Sequence, residues 1–155
     1  MGPGGPGVRF HLIDRVDEWE RERSVRGRKV TSLSEELWEE SADGAVMSPP
    51  LVLEALCQAG TWLVMISTDR RKRAALLSIA SVDFLGAVRP GDVIELEATV
   101  ESMSDEGAVI SGRATVDGET VLEATDIMCA LIDAGDLADL DDTERIQHML
   151  TRAEA

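Results

Sequence analysis

Tyrosine is absent from this 155-residue chain, and other aromatics are few: three tryptophans and two phenylalanines. Binding single-stranded nucleic acid by base stacking needs a platform of rings, and too few are present to build one. Positive charge is also short. Fifteen lysines and arginines face thirty aspartates and glutamates, and a formal charge of −15 repels phosphate backbones and anionic membrane surfaces. Only His11 and His148 offer imidazole, so no metal site is expected. Cys57 and Cys129 sit in apolar runs without CxxC spacing, which reads as reduced, buried thiols in a cytoplasmic protein. No apolar run reaches membrane-spanning length without a polar interruption. The opening MGPGGPG lacks the basic and apolar regions of a signal peptide and reads as a flexible leader over residues 1–7. No nucleic-acid partner, membrane partner or cofactor is expected.

What is present is an ordinary soluble composition, 44% hydrophobic and 29% charged, in a length that suits one domain. Positive charge is clustered in RERSVRGRK (Arg21 to Lys29) and DRRKR (Asp69 to Arg73). Both clusters fit solvated surface, and both fit a docking patch for an acidic partner. Residues 13–33 read as a bent strand or hairpin, with the bend at the glycine of SVRGRKVTSL. SLSEELWEE carries the Ser-then-acid signature of a helix start lasting one or two turns, and SADGAVMSPP reads as a loop rich in breakers.

Pro49 and Pro50 suit the first turn of a helix, where a missing N–H costs nothing. From Leu51 to about Thr68 the pattern is apolar nearly all round, which predicts a helix enclosed by protein. Glu54 and Gln58 interrupt it. With Thr61 they fall on one stripe, the single wetted line of a buried helix. The second half changes period: AALLSIASVDFL, DVIELEATVESMS, GAVISGRATVDG and ETVLEATDIMCALID are β-rich, separated by RPGD, SDEG and DGE turns. Four strands in succession predict an antiparallel meander. Residues 134–155 predict an acidic surface helix with Leu137, Leu140, Ile146, Met149 and Leu150 on a partial apolar stripe. Together these give an α+β fold, a curled antiparallel sheet wrapped around one central helix.

The order of motifs resembles the hot-dog 3-hydroxyacyl-(acyl-carrier-protein) dehydratases of fatty-acid synthesis. FHLIDRV (Phe10 to Val16) looks like their opening strand, and AVMSPPLVLEALCQAG like their central helix. VDFLGAVRPGDVIELEATV looks like their strand and Pro-Gly-Asp turn, and ATVDGETVLEATDIMCAL like their final hairpin. The resemblance covers about residues 8–133, taken as the hot-dog domain, and leaves the tail unmatched.

The resemblance implies an acyl thioester substrate, on acyl carrier protein or coenzyme A, and a dimer whose sites draw a histidine and an acid from opposite protomers. It places Glu54 on the catalytic acid, with Gln58 beside it, and the substrate near Met47, Pro49, Leu51 and Phe84. Two departures stand out. Glu40 falls where the family histidine belongs, inside EESADG. Pro49, which has no N–H, falls where a family glycine donates to the thioester carbonyl. A carboxylate is a poor substitute for imidazole near neutral pH, although Glu40 and Glu54 could form a proton-sharing pair. Three functional expectations follow. The first is a dehydratase-like subunit of fatty-acid or polyketide assembly, inactive alone and lending Glu54 to a histidine-bearing partner. The others are an independent thioesterase or atypical dehydratase, and a non-catalytic acyl-binding scaffold. The assembly is a homodimer or a heterodimer with that partner.

Overall fold

The computed structural model describes residues 12–133 and 140–151. The leader, Phe10, His11 and Leu137 lie outside the described residues, as does the side chain of Leu140. A hairpin of β1 (Arg15–Glu20) and β2 (Ser24–Val30) comes first, then β3 (Trp38–Ser41), β4 (Gly44–Met47) and the helix α1 (Pro49–Ser67). There follow β5 (Lys72–Phe84), β6 (Val93–Met103), β7 (Gly107–Val116), β8 (Glu119–Asp133) and a second helix, α2 (Leu140–Thr151). Six strands form one antiparallel sheet in the order β1-β2-β6-β7-β8-β5, while β3 and β4 pair apart from it.

The predicted hairpin over residues 13–33 is present, but its reversal lies at Arg21–Arg23, with Glu22 at φ 61. Gly27 is inside a regular strand instead. A Cβ there would stand 2.6 Å from the Arg15 carbonyl oxygen, so the glycine permits a close crossing and makes no bend. Ser32 and Glu35 form half of a capping box: Ser32 N–H donates to Glu35 Oε1 at 2.9 Å, while Glu35 N–H donates to the Ser32 backbone carbonyl at 3.2 Å and the Ser32 hydroxyl pairs with Ser34 Oγ at 2.8 Å. No helix grows from it. The other Glu35 oxygen is held by the buried Lys29 ammonium at 2.7 Å, and Trp38 Nε1 donates to the Ser32 carbonyl at 2.9 Å, so the chain leaves as a strand. The predicted loop SADGAVMSPP likewise contains a strand, β4, because its breakers serve only the turn of the β3–β4 hairpin.

The expected meander holds for β6, β7 and β8 alone. β5 pairs with β8, from Phe84 opposite Leu122 to Lys72 opposite Asp133, and forms the outer edge. The following loop recrosses the sheet, tied by Leu85 N–H to Val121 O at 2.8 Å and Met47 N–H to Val88 O at 2.8 Å, and delivers β6 beside β2. Two turns behave as their sequences predict. Arg89-Pro90-Gly91-Asp92 closes with Gly91 at φ 94, and Asp117-Gly118 reverses β7 into β8 with both residues at positive φ.

Bulges curl the sheet. Register shifts fall between Leu76 and Ser78, Val100 and Ser102, and Ile110 and Gly112. Asp126 takes φ 51, with its N–H on Ser111 Oγ at 3.0 Å. Each extra residue bends its strand and strengthens the local twist. The concave face so made closes over α1, where Leu56, Leu63 and Val64 meet Ile94, Leu96, Ile110 and Leu122 in one buried cluster. By length and composition α1 would cross a membrane, but most of it is buried inside this sheet, as a core helix is.

The tail helix docks as well. Leu150 is buried with the core and Ile146 packs against it, while Met149 stays exposed. Arg70 reaches Glu144 at 3.6 Å and Gln147 at 3.3 Å, Lys72 reaches Asp133 at 2.8 Å, and Arg21 reaches Asp69 at 2.9 Å. Much of the basic clustering is thus spent on internal pairing.

Helix and sheet approach closely at Gly112. A Cβ there would run into the Glu97 carbonyl oxygen and stand 2.9 Å from Leu56 Cδ1. Gly112→Ala is expected to cost about 1–3 kcal/mol of stability, read as a lower midpoint in urea unfolding with an unchanged slope.

Candidate active site

The start of α1 is built without a free donor. Ser48 caps it with no side-chain bond, Pro49 and Pro50 supply no N–H, and the N–H groups of Leu51 and Val52 both turn back to the Ser48 carbonyl, at 2.9 and 3.4 Å. A helix start ordinarily presents orphan N–H groups to an anion or a polarised carbonyl. This one has little to present. Met47 is buried just before it, and Pro49 is exposed.

One turn further on, Glu54 projects from the helix at the mouth of a cleft of about 170 Å³ between α1 and strands β5, β7 and β8. Its carboxylate is exposed in this chain. Gln58 Nε2 donates to Glu54 Oε1 at 3.3 Å, and the backbone N–H of Leu12 donates to Gln58 Oε1 at 2.8 Å. The second bond decides the first: with its oxygen committed to a main-chain donor, the Gln58 amide can offer only its NH2 to Glu54. Thr61 extends the polar rim, its hydroxyl donating to the Cys57 carbonyl at 3.0 Å. Below the rim the floor is apolar, with Leu56, Ile110 and Ile127 from the buried core.

Of the residues named from the sequence, the structure brings Glu54 and Gln58 together at this cleft. Glu40, Met47, Pro49, Leu51 and Phe84 do not line it. Glu40 is exposed on β3 opposite Ala45, and Phe84 is half-exposed at the end of β5. His148 sits exposed on α2, 3.7 Å from Glu144, so among the described residues no imidazole reaches the cleft. Nor do the described residues contain a cluster of metal-ligating side chains.

Sequence reading missed the two thiols as lining groups. Cys57 lies three residues after Glu54, a spacing that puts both on one helix face, and Cys129 comes from β8 across the cleft. Burial pushes the Cys57 thiol up to about 11, with smaller contributions in the same direction from the neighbouring Glu54 carboxylate and from Cys129. A protonated thiol is a weak nucleophile. Alkylation of Cys57 by iodoacetamide in the folded protein, followed by peptide mass mapping, is expected to be negligible at neutral pH. The rate should climb about tenfold per pH unit until it levels near the raised pKa, far above the plateau of an unfolded control. Fast labelling at neutral pH would mean that the thiol is not enclosed.

Comparison with known proteins bears on the family and the fold. Residues 6–125 match the FabA-like domain. The 3-hydroxyacyl-[acyl-carrier-protein] dehydratase FabZ of Chlamydia pneumoniae is 37% identical over 129 residues, covering 80% of this chain and 84% of that protein. The FabZ of Aliarcobacter butzleri is 33% identical, covering 73% and 82%. Among solved structures, a Streptococcus mutans protein bound to acetyl CoA superposes with a TM-score of 0.61 at 17% identity, over 78% of this chain and 90% of that one. A hypothetical thioesterase from Streptococcus pneumoniae with coenzyme A gives 0.55 at 22% identity, over 73% and 82%. The structural likenesses establish a shared hot-dog fold. The sequence matches go further: this chain belongs to the FabA-like family and is a homologue of the FabZ-type 3-hydroxyacyl-acyl-carrier-protein dehydratases.

Proposed function

We propose that this protein is a subunit of a cytoplasmic 3-hydroxyacyl-thioester dehydratase of fatty-acid or polyketide assembly, and that it supplies Glu54 to a site completed by a histidine from a partner of the same fold. The observation that carries this reading is the Leu12–Gln58–Glu54 chain of hydrogen bonds at the mouth of an apolar cleft. Loss of water from a 3-hydroxyacyl thioester needs a base for the α-carbon proton and an acid for the departing hydroxyl. Glu54, in its acid form, would protonate the hydroxyl, and the partner's imidazole would take the α-proton. The C–O bond breaks as the carbon–carbon double bond forms. Gln58 is a positioning residue that holds the carboxyl toward the cleft. The substrate class comes from the names of the relatives, and either acyl carrier protein or coenzyme A would carry the chain.

A partner is invoked because the family histidine position is occupied by Glu40 and the donor-bearing glycine by Pro49. The edge strand β5 gives the partner a place to join, exposing Leu76 and Leu77 beside an unpaired strand edge. It also carries Lys72 and Arg73 at one end and Asp83 near the other, so an antiparallel neighbour with the same pattern meets opposite charge. A homodimer would form by the same route and would lack the histidine in both sites. Residues 8–133 would form the catalytic unit, with the 134–155 tail appended to it.

A competing reading is suggested by the exposure of Glu54: a carboxylate open to solvent can activate water, and the chain alone would then hydrolyse acyl thioesters. One set of assays separates the two. Adding this chain to a histidine-bearing relative should raise dehydration of a 3-hydroxyacyl thioester, and Glu54→Ala should lower that gain by about 10²–10⁴-fold. Gln58→Leu should lower it less, through kcat and not KM, because the carboxyl loses the donor that orients it. A relative that is fully active alone and indifferent to this chain sinks the shared site, and Glu54-dependent hydrolysis by the chain alone establishes the competitor.

A further inference from the structure

We infer that the cleft selects short acyl chains, of about six carbons or fewer, and that Ile110 and Gly60 set this limit; the inference rests on the acyl-thioester reading above. The cleft measures about 170 Å³. A cavity of about 150 Å³ lined by aliphatic side chains accommodates one benzene, six carbons in all. The space beneath Glu54 is therefore of the size of a short acyl group with its reacting carbons at the mouth.

The floor cannot recede, because it is this chain's own core. Leu56, Ile110 and Ile127 are each at most 4% exposed, and Ile110 is pinned between Val100 and Ile127 in neighbouring strands, beside the bulge before Gly112. Gly60 lines the cleft beside Ile110, at the same end. A Cβ built on it would stand 3.6 Å from Ile110 Cδ1 and 3.8 Å from Ile110 Cγ2, ordinary contact distances. A methyl group added there fits the structure and removes about one carbon's worth of room. Helix propensity also favours alanine over glycine at this position.

The test is equilibrium binding of 3-hydroxybutanoyl, 3-hydroxyhexanoyl and 3-hydroxydecanoyl thioesters of N-acetylcysteamine to the full chain by calorimetry. Each methylene that finds apolar room should tighten binding about fourfold. The six-carbon thioester is expected to bind more tightly than the four-carbon one, and the ten-carbon thioester at least about tenfold more weakly than the six-carbon. Gly60→Ala should weaken the six-carbon thioester about fivefold or more while leaving the four-carbon one within about twofold. Ile110→Ala should bring the ten-carbon thioester to within about threefold of the six-carbon. Should Ile110→Ala fail to fold, Gly60→Ala decides alone. Ten-carbon binding to the unmodified chain as tight as six-carbon, or a Gly60→Ala effect equal at both short lengths, overturns the inference and leaves the acyl reading intact. Binding of no thioester at any length, with the histidine-bearing relative present as well as absent, overturns that reading, and this inference with it.

Discussion

The structure depends on one packing constraint: a helix apolar on nearly every side must be enclosed by a curled sheet that does not close on itself. Each buried leucine or valine of α1 gains about 1.5–3 kcal/mol from leaving water, and the bulged strands β5 to β8 curl to supply the cover. Complete enclosure would forbid a carboxylate. Because β5 ends the sheet, one line of α1 is left uncovered, and along that line lie Glu54, Gln58 and Thr61. The helix thus keeps an acid in its second turn where the wrapping stops.

The same constraint explains which parts of the fold were legible in the sequence. Period and turn chemistry identify α1, the β1–β2 hairpin and strands β5 to β8, since each carries its own apolar pattern. Pairing order is less local. Nothing in AALLSIASVDFL says that it pairs with the last strand and not the next one, because the choice depends on the loop at Leu85–Asp92 crossing the sheet under bonds from Met47 and Val121. Ser32 and Glu35 show a different failure. Glu35 does reach back to the Ser32 N–H, yet Lys29 and Trp38, met only through the fold, take the remaining partners and no helix follows. Gly27 reads as a bend and is in fact a point of close approach, as is Gly112.

For the site, the spacing of Glu54 and Gln58 was legible because it lies within one helix. The Leu12 amide that orients Gln58 comes from the start of the chain, forty-six residues away in sequence. The floor residues Ile110, Ile127 and Cys129 were hidden for a related reason. A register shift between Ile110 and Gly112 determines which side chains of β7 face inward, and bulges of this kind leave little trace in the alternation of a sequence.

The departures at the helix start and at the β3–β4 hairpin also have a structural side. Pro49 and Pro50 pre-set the backbone for the first turn, and the chain before them is held by Met47 on Val88 and by Arg89 Nη1 on the Asp43 carbonyl at 3.0 Å. These features make a rigid, donor-poor entrance that carries Glu40 outward on an exposed strand. The acid and its orienting amide stand on the most deeply packed element of the fold, where changing the helix would disturb the core. The hairpin, paired apart from the main sheet, can change with little cost to stability. On the proposed reading, in which Glu40 and Pro49 stand at the family's histidine and glycine positions, this is the pattern expected of a protein that contributes half of a site. The proposed histidine-bearing partner is the natural source of the other half.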